Sequence, residues 1–443
     1  MNKLKNLLAS FIPILILELS VVIVVLRILV DTPYLRFNRW VVADWMINYQ
    51  SGFVRRGLFG ELLHQLNSNS MVAALYPMLT GLFIGFAILF AALYFCSKAK
   101  GQLLATIILL IPGGIFHMAI SGDFYSRKEG FFEIQFGILC LLYIFICKNQ
   151  GNIKSRLIDL FCFFAVPVGM LMELGHEAYL FMSFPIFCLL IFLLAYENPS
   201  HRLLRWSKWA YLILIPALFV FASLNHGSYE SAQVIWEAVP LADRIQITPA
   251  SPYTVSLAAG AIAWTMQEHF LTIYENIVTN QLPYIAFFFC GNLLIVLFLA
   301  SRLRPYAKPN GENEIFANER YIRLLALAFI GSLGMFFLGS DWGRWIACAV
   351  NQWVFLALAL RFSPSLLGSK FQCNHAKFLD RISDYFDQAP RYLFVTLILV
   401  YSLVYQMPES VVGNYRSIYI PYFEFGRAAF EIIRLQVTQS GIQ

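Results

Sequence analysis

Long apolar runs broken by short polar intervals organise this chain from end to end. Crossing a hydrocarbon core takes about 20 helical residues. Eleven runs approach that length: 8–30, 71–96, 103–120, 131–147, 157–173, 178–196, 209–225, 284–301, 321–338, 344–361 and 392–408. They lack the short alternating segments of a membrane barrel. The pattern predicts an all-α, polytopic integral membrane protein with about 11 transmembrane helices. With no internal repeats or low-complexity linkers, residues 1–443 read as a single membrane domain. The fifth and sixth runs are separated only by ELGHE (173–177), so that turn is expected inside the membrane, facing a cavity. The start resembles a signal peptide superficially. Its apolar stretch is too long and no small-residue cleavage site follows, so it reads as a retained first helix.

Three polar intervals are long: 31–70, 226–283 and the tail 409–443. In the first, Leu58, Phe59, Leu62, Leu63 and Leu66 recur at helical spacing. They predict an amphipathic helix lying along the membrane surface. The second predicts helical stretches near 230–238 and 258–280 around the turn ITPASPY. The tail is too polar to span again and carries a further amphipathic stretch, FGRAAFEIIRL.

Charge orients the threading. With the N-terminus in the cytoplasm, the inner loops hold twenty Lys and Arg residues and the outer segments eleven. This bias matches the positive-inside rule, and it puts the C-terminus outside. The outer eleven are ten arginines and Lys128. Arginine offers a planar fork that grips phosphate or carboxylate at two points. The composition, 59% hydrophobic and 13% charged with mean hydropathy +0.65, agrees with a membrane protein. A formal net charge of +6 reflects this topology and not nucleic-acid binding, because no basic run is interleaved with aromatics. The eight cysteines lie outside every outer loop and include no CxxC spacing, so they read as apolar filler and not as a metal or disulfide framework.

Four charged clusters interrupt the apolar pattern, and the threading puts all four on the outer face. ADWMINYQSGFVRRGLFGELL (43–63) sets Asp44 among Trp45 and Tyr49, ahead of Arg55 and Arg56. A carboxylate there suits a general base for a hydroxyl, and two arginines suit a phosphate. The blander reading is an interfacial helix anchored to lipid headgroups. SGDFYSRKEG (121–130) contributes Asp123, Arg127, Lys128 and Glu129, with Glu133 one turn on. These complete a charged cavity or form local ion pairs of little worth. ELGHE gives Glu173, His176 and Glu177. It lacks the second histidine of HExxH, so a zinc-protease site fails. On a continuous helix its two glutamates would share a face, and ionisable groups at this depth are functional candidates. A satisfied His–Glu pair is the alternative. GSDWGRW (339–345) offers Asp341, Arg344 and Trp345, either as an i, i+3 ion pair with an interface anchor or as a phosphate and sugar contact. In the loop 226–283, His226, Glu230, Glu237, Asp243, Arg244, Glu268, His269 and Glu275 match no metal spacing; Arg244 and His269 are the candidates there. His117 reads as a core histidine. There is no Walker A loop and no GxGxxG after a strand, so an activated sugar would arrive on a lipid.

At these residues the chain resembles the multi-span GT-C glycosyltransferases of bacterial envelope glycan assembly. It is similar in general form to the O-antigen polymerases. The likeness is architectural and covers most of the chain. In that family an acidic residue lies in the first outward loop and a second in the next. Asp44 matches the first position and Asp123 or Glu129 the second. The polymerases carry a sizeable periplasmic loop after mid-chain and outward arginines that bind undecaprenyl diphosphate; Arg55, Arg56, Arg127, Arg244 and Arg344 correspond by type and side. The resemblance implies a bacterial inner-membrane enzyme of O-antigen or capsule assembly, acting at the periplasmic face. Its substrate would be an undecaprenyl diphosphate-linked oligosaccharide and a chain-length regulator its partner. No cofactor and no metal is called for, since arginines can neutralise the leaving diphosphate. Asp44, or His176 with Glu177, would take the acceptor's proton. The rivals are a GT-C enzyme adding a single sugar from a polyprenyl phosphate, a lipid-glycan flippase or transporter, and an envelope scaffold.

Overall fold

The computed structural model describes residues 39–96, 127–278, 282–302, 327–328, 330–337, 341–360, 362 and 401. Helix α1 spans Arg39–Trp45, α2 Gly57–Leu66 and α3 Met71–Cys96. After them come α4 Glu129–Lys148, α5 Gly151–Gly175, α6 Tyr179–Met182, α7 Phe184–Glu197 and α8 Arg202–Leu224. Helices α9 Tyr229–Ala238, α10 Leu241–Ile247, α11 Leu257–Gly260 and α12 Met266–Ile273 precede α13 Leu282–Arg302 and α14 Trp342–Leu360. The described residues form no strand, only an isolated bridge between Gln50 and Gly52.

Five of these helices are long and apolar enough to cross a membrane: α3, α4, α5, α8 and α14. At 1.5 Å per residue, the 26 residues of α3 extend about 39 Å. Shorter apolar helices are α7 and Leu282–Ile295 within α13. The expected spans 71–96, 131–147, 157–173, 209–225 and 344–361 therefore correspond to long helices. The run 178–196 does not. It breaks at Ser183 into α6 and α7, and the Ser183 hydroxyl accepts a hydrogen bond from Gln352 Nε2 of α14 at 2.8 Å. The runs 8–30, 103–120 and all but Tyr401 of 392–408 lie outside the described residues, as do 321–326 and the tail 409–443.

Packing follows the chain. Helix α4 lies against α3, α5 and α14, while α5 lies against α8 and α13 against α14. A two-residue link, Asn149–Gln150, joins α4 to α5, with Gly151 in the left-handed region at φ 60°. Between the helices, Gln135 Nε2 donates to the Phe164 carbonyl at 2.7 Å and the Tyr179 and Tyr211 hydroxyls share a bond of 2.8 Å. Such bonds satisfy polar groups that would otherwise be costly to bury.

At one end of this bundle sit the short helices. Helix α1 is buried from Val41 to Trp45. Helix α2 follows the predicted amphipathic pattern, with Phe59 and Leu63 buried and Leu62 and Leu66 exposed. Its contacts are with α3 and α5, and Phe59 stacks on Phe131 with ring centroids 5.0 Å apart. Gly60 permits this seat, because a Cβ there would strike the Ile47 carbonyl. The loop 226–283 is more broken than the pattern suggested. In place of a helix over 258–280, α11, a 3-10 turn at Ala261–Ala263, α12 and a π-turn at Tyr274–Val278 follow one another. The break falls at extended Trp264, and Thr265 restarts the helix through a capping box with Glu268.

Candidate functional site

Where α1, α2, α4 and α5 meet, Arg56 occupies the centre. It has φ 65°, the sole positive φ among the described non-glycine residues. A left-handed residue with a Cβ costs about 1–3 kcal/mol, so the surroundings must hold it. Arg56 Nε donates to both Glu177 oxygens, at 2.8 and 2.9 Å, and Nη1 lies 3.6 Å from Asp44 Oδ1. Its own carbonyl accepts from Lys128 Nζ at 3.3 Å.

Lys128 is the second hub. Its side chain is fully buried, pairs with Asp44 Oδ2 at 3.1 Å and donates to the Asp44 carbonyl at 2.9 Å. The ammonium also stands 5.7 Å from the Trp45 ring centre. Burial alone would raise the Asp44 carboxyl, but Lys128 and then Arg56 hold it well below the usual carboxylate range. Burial pushes Lys128 down despite Asp44. Glu177 is likewise held well below its ordinary value, Arg56 outweighing burial.

A second ion-paired group adjoins the first. Arg344, in the first turn of α14, reaches Glu129 at 3.2 Å and Asp341 at 2.7 Å. Arg127 lies beside Glu129. The i, i+3 pair expected within GSDWGRW is therefore present, extended by a glutamate from α4. Arg55 approaches Glu177 at 3.8 Å and donates from Nη2 to the Ala261 carbonyl at 2.8 Å, tying the loop 226–283 to the cluster. His269 sits in that loop near Arg55 and Arg56 and is pushed down to about 4, first by burial and then by those arginines. Its ring is 5.6 Å from Trp264, which is 6.0 Å from Trp40.

The ELGHE turn departs from its expected geometry. Helix α5 ends at Gly175 and His176 is extended, so Glu173 and Glu177 do not share one continuous helical face. Glu177 instead turns to Arg56, while Glu173 stays buried in the last turn of α5. His176 Nδ1 accepts the Ala178 N–H at 3.1 Å. Burial and then Arg56 push His176 down to about 4, so it is neutral at pH 7. With Nδ1 accepting, the neutral ring carries its proton on Nε2, and a base role through Nδ1 is blocked in this arrangement.

Other candidates fall elsewhere. Asp123 and His117 lie outside the described residues. The Arg244 guanidinium makes no ion pair among the described residues; its neighbour Asp243 caps α3 instead, accepting from Ser70 Oγ at 2.8 Å and Val72 N at 3.2 Å. Trp345 is buried, its ring centre 6.0 Å from that of Phe336, and offers no open face for a sugar. Glu133 does not join the cluster; it is buried with Gln352 Nε2 at 3.3 Å. The seven described cysteines are free. Among the described residues, no group of three or more His, Cys, Asp or Glu side chains is placed to hold a metal ion.

The sequence patterns do not single out Trp40, Trp264, Gln135 or Gln352. Their one signal is polar amides inside apolar runs and tryptophans in a polar loop. Compared with known protein families, curated proteins and solved structures, the chain matches none.

Proposed function

We propose that the protein is a membrane glycosyltransferase that acts at the periplasmic face on an undecaprenyl-linked glycan, as a repeat-unit polymerase in O-antigen or capsule assembly. One observation carries this reading. Charged residues from four distant stretches, Asp44 with Arg55 and Arg56, Lys128 with Glu129, Glu177, and Asp341 with Arg344, meet at one end of an apolar bundle. Holding so many buried charges together is expensive unless each is paired, and a shared anionic ligand is a reason to retain them. In this reading a diphosphate takes the Arg56 fork in place of Glu177, since phosphate accepts the same bidentate contact. Glu177 is then released to take the acceptor's proton. Arg55 and Arg344 meet the charge that develops on the leaving diphosphate. His176 serves as an Nε2–H donor and not as the base.

Deleting the gene and resolving envelope polysaccharide on a gel tests the assignment. Loss of long chains with one repeat unit retained supports the polymerase. Loss of one specific sugar supports a single-sugar GT-C transferase. An unchanged profile defeats both. A second reading, a lipid-glycan flippase or transporter, draws on Glu133 and Glu173, which carry acidity deeper into the bundle than the ion-paired cluster. Lipid translocation by reconstituted protein, without new glycosidic bonds, would favour it.

A further inference from the structure

Behind the ion-paired cluster lies a second set of acids for which the cluster supplies no cation. Glu173 is 1% exposed, and among the described residues neither carboxyl oxygen has a hydrogen-bond partner of normal geometry, although the N–H of Leu180 is directed at it. Glu133, one turn inside Glu129 on α4, is 0% exposed and has one oxygen without a partner. Gln135 Oε1, also buried, has none either. The arginines and the lysine are occupied elsewhere: Arg56 on Glu177, Lys128 on Asp44, Arg344 on Glu129 and Asp341.

Among the described residues, the groups that face these acids cannot neutralise them. Around Glu173 are Glu177 beyond the end of α5, Tyr179 of α6 and Tyr211 of α8. Around Glu133 are Glu129 on its own helix, Cys348 and Gln352 of α14, and Ser183 through Gln352. A carboxylate buried without a counter-charge is strongly unfavourable. An ionised Glu177 nearby adds like-charge repulsion. Surplus acceptors with no donor mark a place where hydrogen is missing from the inventory of partners. A proton on a carboxyl supplies a donor, removes the charge and leaves one acceptor, correcting all three at once.

We propose that Glu173 is an intramembrane proton-binding site, holding an exchangeable proton in the last turn of α5 behind the ion-paired cluster, with Glu133 as its counterpart on α4. The step is a proton transfer from hydronium or a buffer acid to a carboxylate oxygen; the donor's bond to hydrogen breaks, leaving water or the buffer base, an O–H bond forms on the glutamate, and no oxidant or reductant takes part. Glu177, which is held on Arg56 and also acts on Glu173, is the route of exchange in this proposal. A proton bound here links the state of the bundle to the proton activity on the side that the cluster faces. The inference is independent of the glycosyltransferase reading. A missing glycan phenotype would leave it standing, and its own failure would leave that reading untouched.

The test uses full-length protein in lipid nanodiscs at pH 7. Infrared spectroscopy reads the carbonyl stretch of neutral carboxylic acids, which shifts in D2O when the proton exchanges. The wild type is expected to show this band, and Glu173→Gln and Glu133→Gln each to lose a resolved component of it. In parallel, the O–H of a protonated buried carboxyl adds across a C=N bond of a hydrophobic carbodiimide, the product rearranges to a stable N-acylurea, and peptide mass spectrometry locates the adduct. This second measurement needs no variant, so it stands even if Glu173→Gln misfolds. An adduct on Glu173, with Asp44 and Glu177 unmodified, supports the proposal. Absence of the neutral-carboxyl band at pH 7, a band unchanged in folded Glu173→Gln, or adducts confined to the ion-paired acids would overturn it.

Discussion

Replacing Lys128 with Met tests the logic of the cluster at its most buried cation. The ammonium's three polar contacts go to the cluster: the Asp44 carboxylate at 3.1 Å, the Asp44 carbonyl at 2.9 Å and the Arg56 carbonyl at 3.3 Å. At an effective dielectric of about 20, a unit charge at 3.1 Å is worth about 5 kcal/mol before desolvation. Removing one partner of a buried pair costs about 3–5 kcal/mol, chiefly because the other is left uncompensated. Asp44 keeps Arg56 at 3.6 Å, and both of those side chains retain some exposure. We therefore expect the lower end, about 3 kcal/mol, for Lys128→Met. Asp44→Asn/Lys128→Met removes the stranded charge and should be at least 1 kcal/mol more stable than the two single changes summed. The assay is unfolding in mixed micelles by SDS titration, followed by circular dichroism. Contacting residues deviate from additivity by about 0.5–3 kcal/mol. Additive single changes, or a Lys128→Met protein as stable as the wild type, would refute the claim that this pair is a buried, mutually dependent unit.

Three further outcomes follow from the same geometry. His176, at about 4 in the fold against an ordinary 6.5, binds its proton more readily when unfolded. Its contribution to stability is thus fully present above pH 6.5 and is lost as pH drops towards 4, by about 2–3 kcal/mol over this window; Asp44 and Glu177, both depressed, add their losses below about pH 4.5, while acids that hold a proton in the fold, as proposed for Glu173 and Glu133, contribute the opposite trend. The difference in thermal midpoint between the wild type and His176→Gln, followed from pH 7.5 to 4.5, should show the slope, the background trend of the other acids cancelling between the two; a difference that does not change with pH would refute it. Gly60→Ala should abolish folded protein in detergent, because its Cβ meets the Ile47 backbone, whereas Gly81→Ala, with open space around it, should match or slightly exceed the wild type in size-exclusion yield. Arg56→Lys keeps the charge but loses the fork held on Glu177, so on the proposed polymerase reading long-chain polysaccharide should fall at least tenfold by gel densitometry while the folded protein is retained; undiminished chains would refute the proposed bidentate role of Arg56.

How legible the chain was depends on the range of the forces involved. The span 71–96 agreed with α3 to the residue, because polar residues 67–70 precede an unbroken apolar run and Ser97 and Lys98 follow it. Hydropathy is a local property, so local sequence carries it. The break at Ser183 was hidden inside an equally apolar run, because its partner Gln352 is 169 residues away. The cluster divides in the same way. Its members were visible as charges interrupting apolar segments, since burying an ionisable group needs a compensating reason wherever it occurs. Their pairings were not. Helical spacing makes Glu177 the neighbour of Glu173, yet a helix ended by extended His176 sends it to Arg56, 121 residues distant. Arg344 could be matched to Asp341 three residues away, but not to Glu129. Periodicity predicts which face a residue occupies only while the helix continues, so one helix end reassigned two acids. The same helix end leaves one of them inside α5 without a cation, where a residue chosen only for packing would have been apolar.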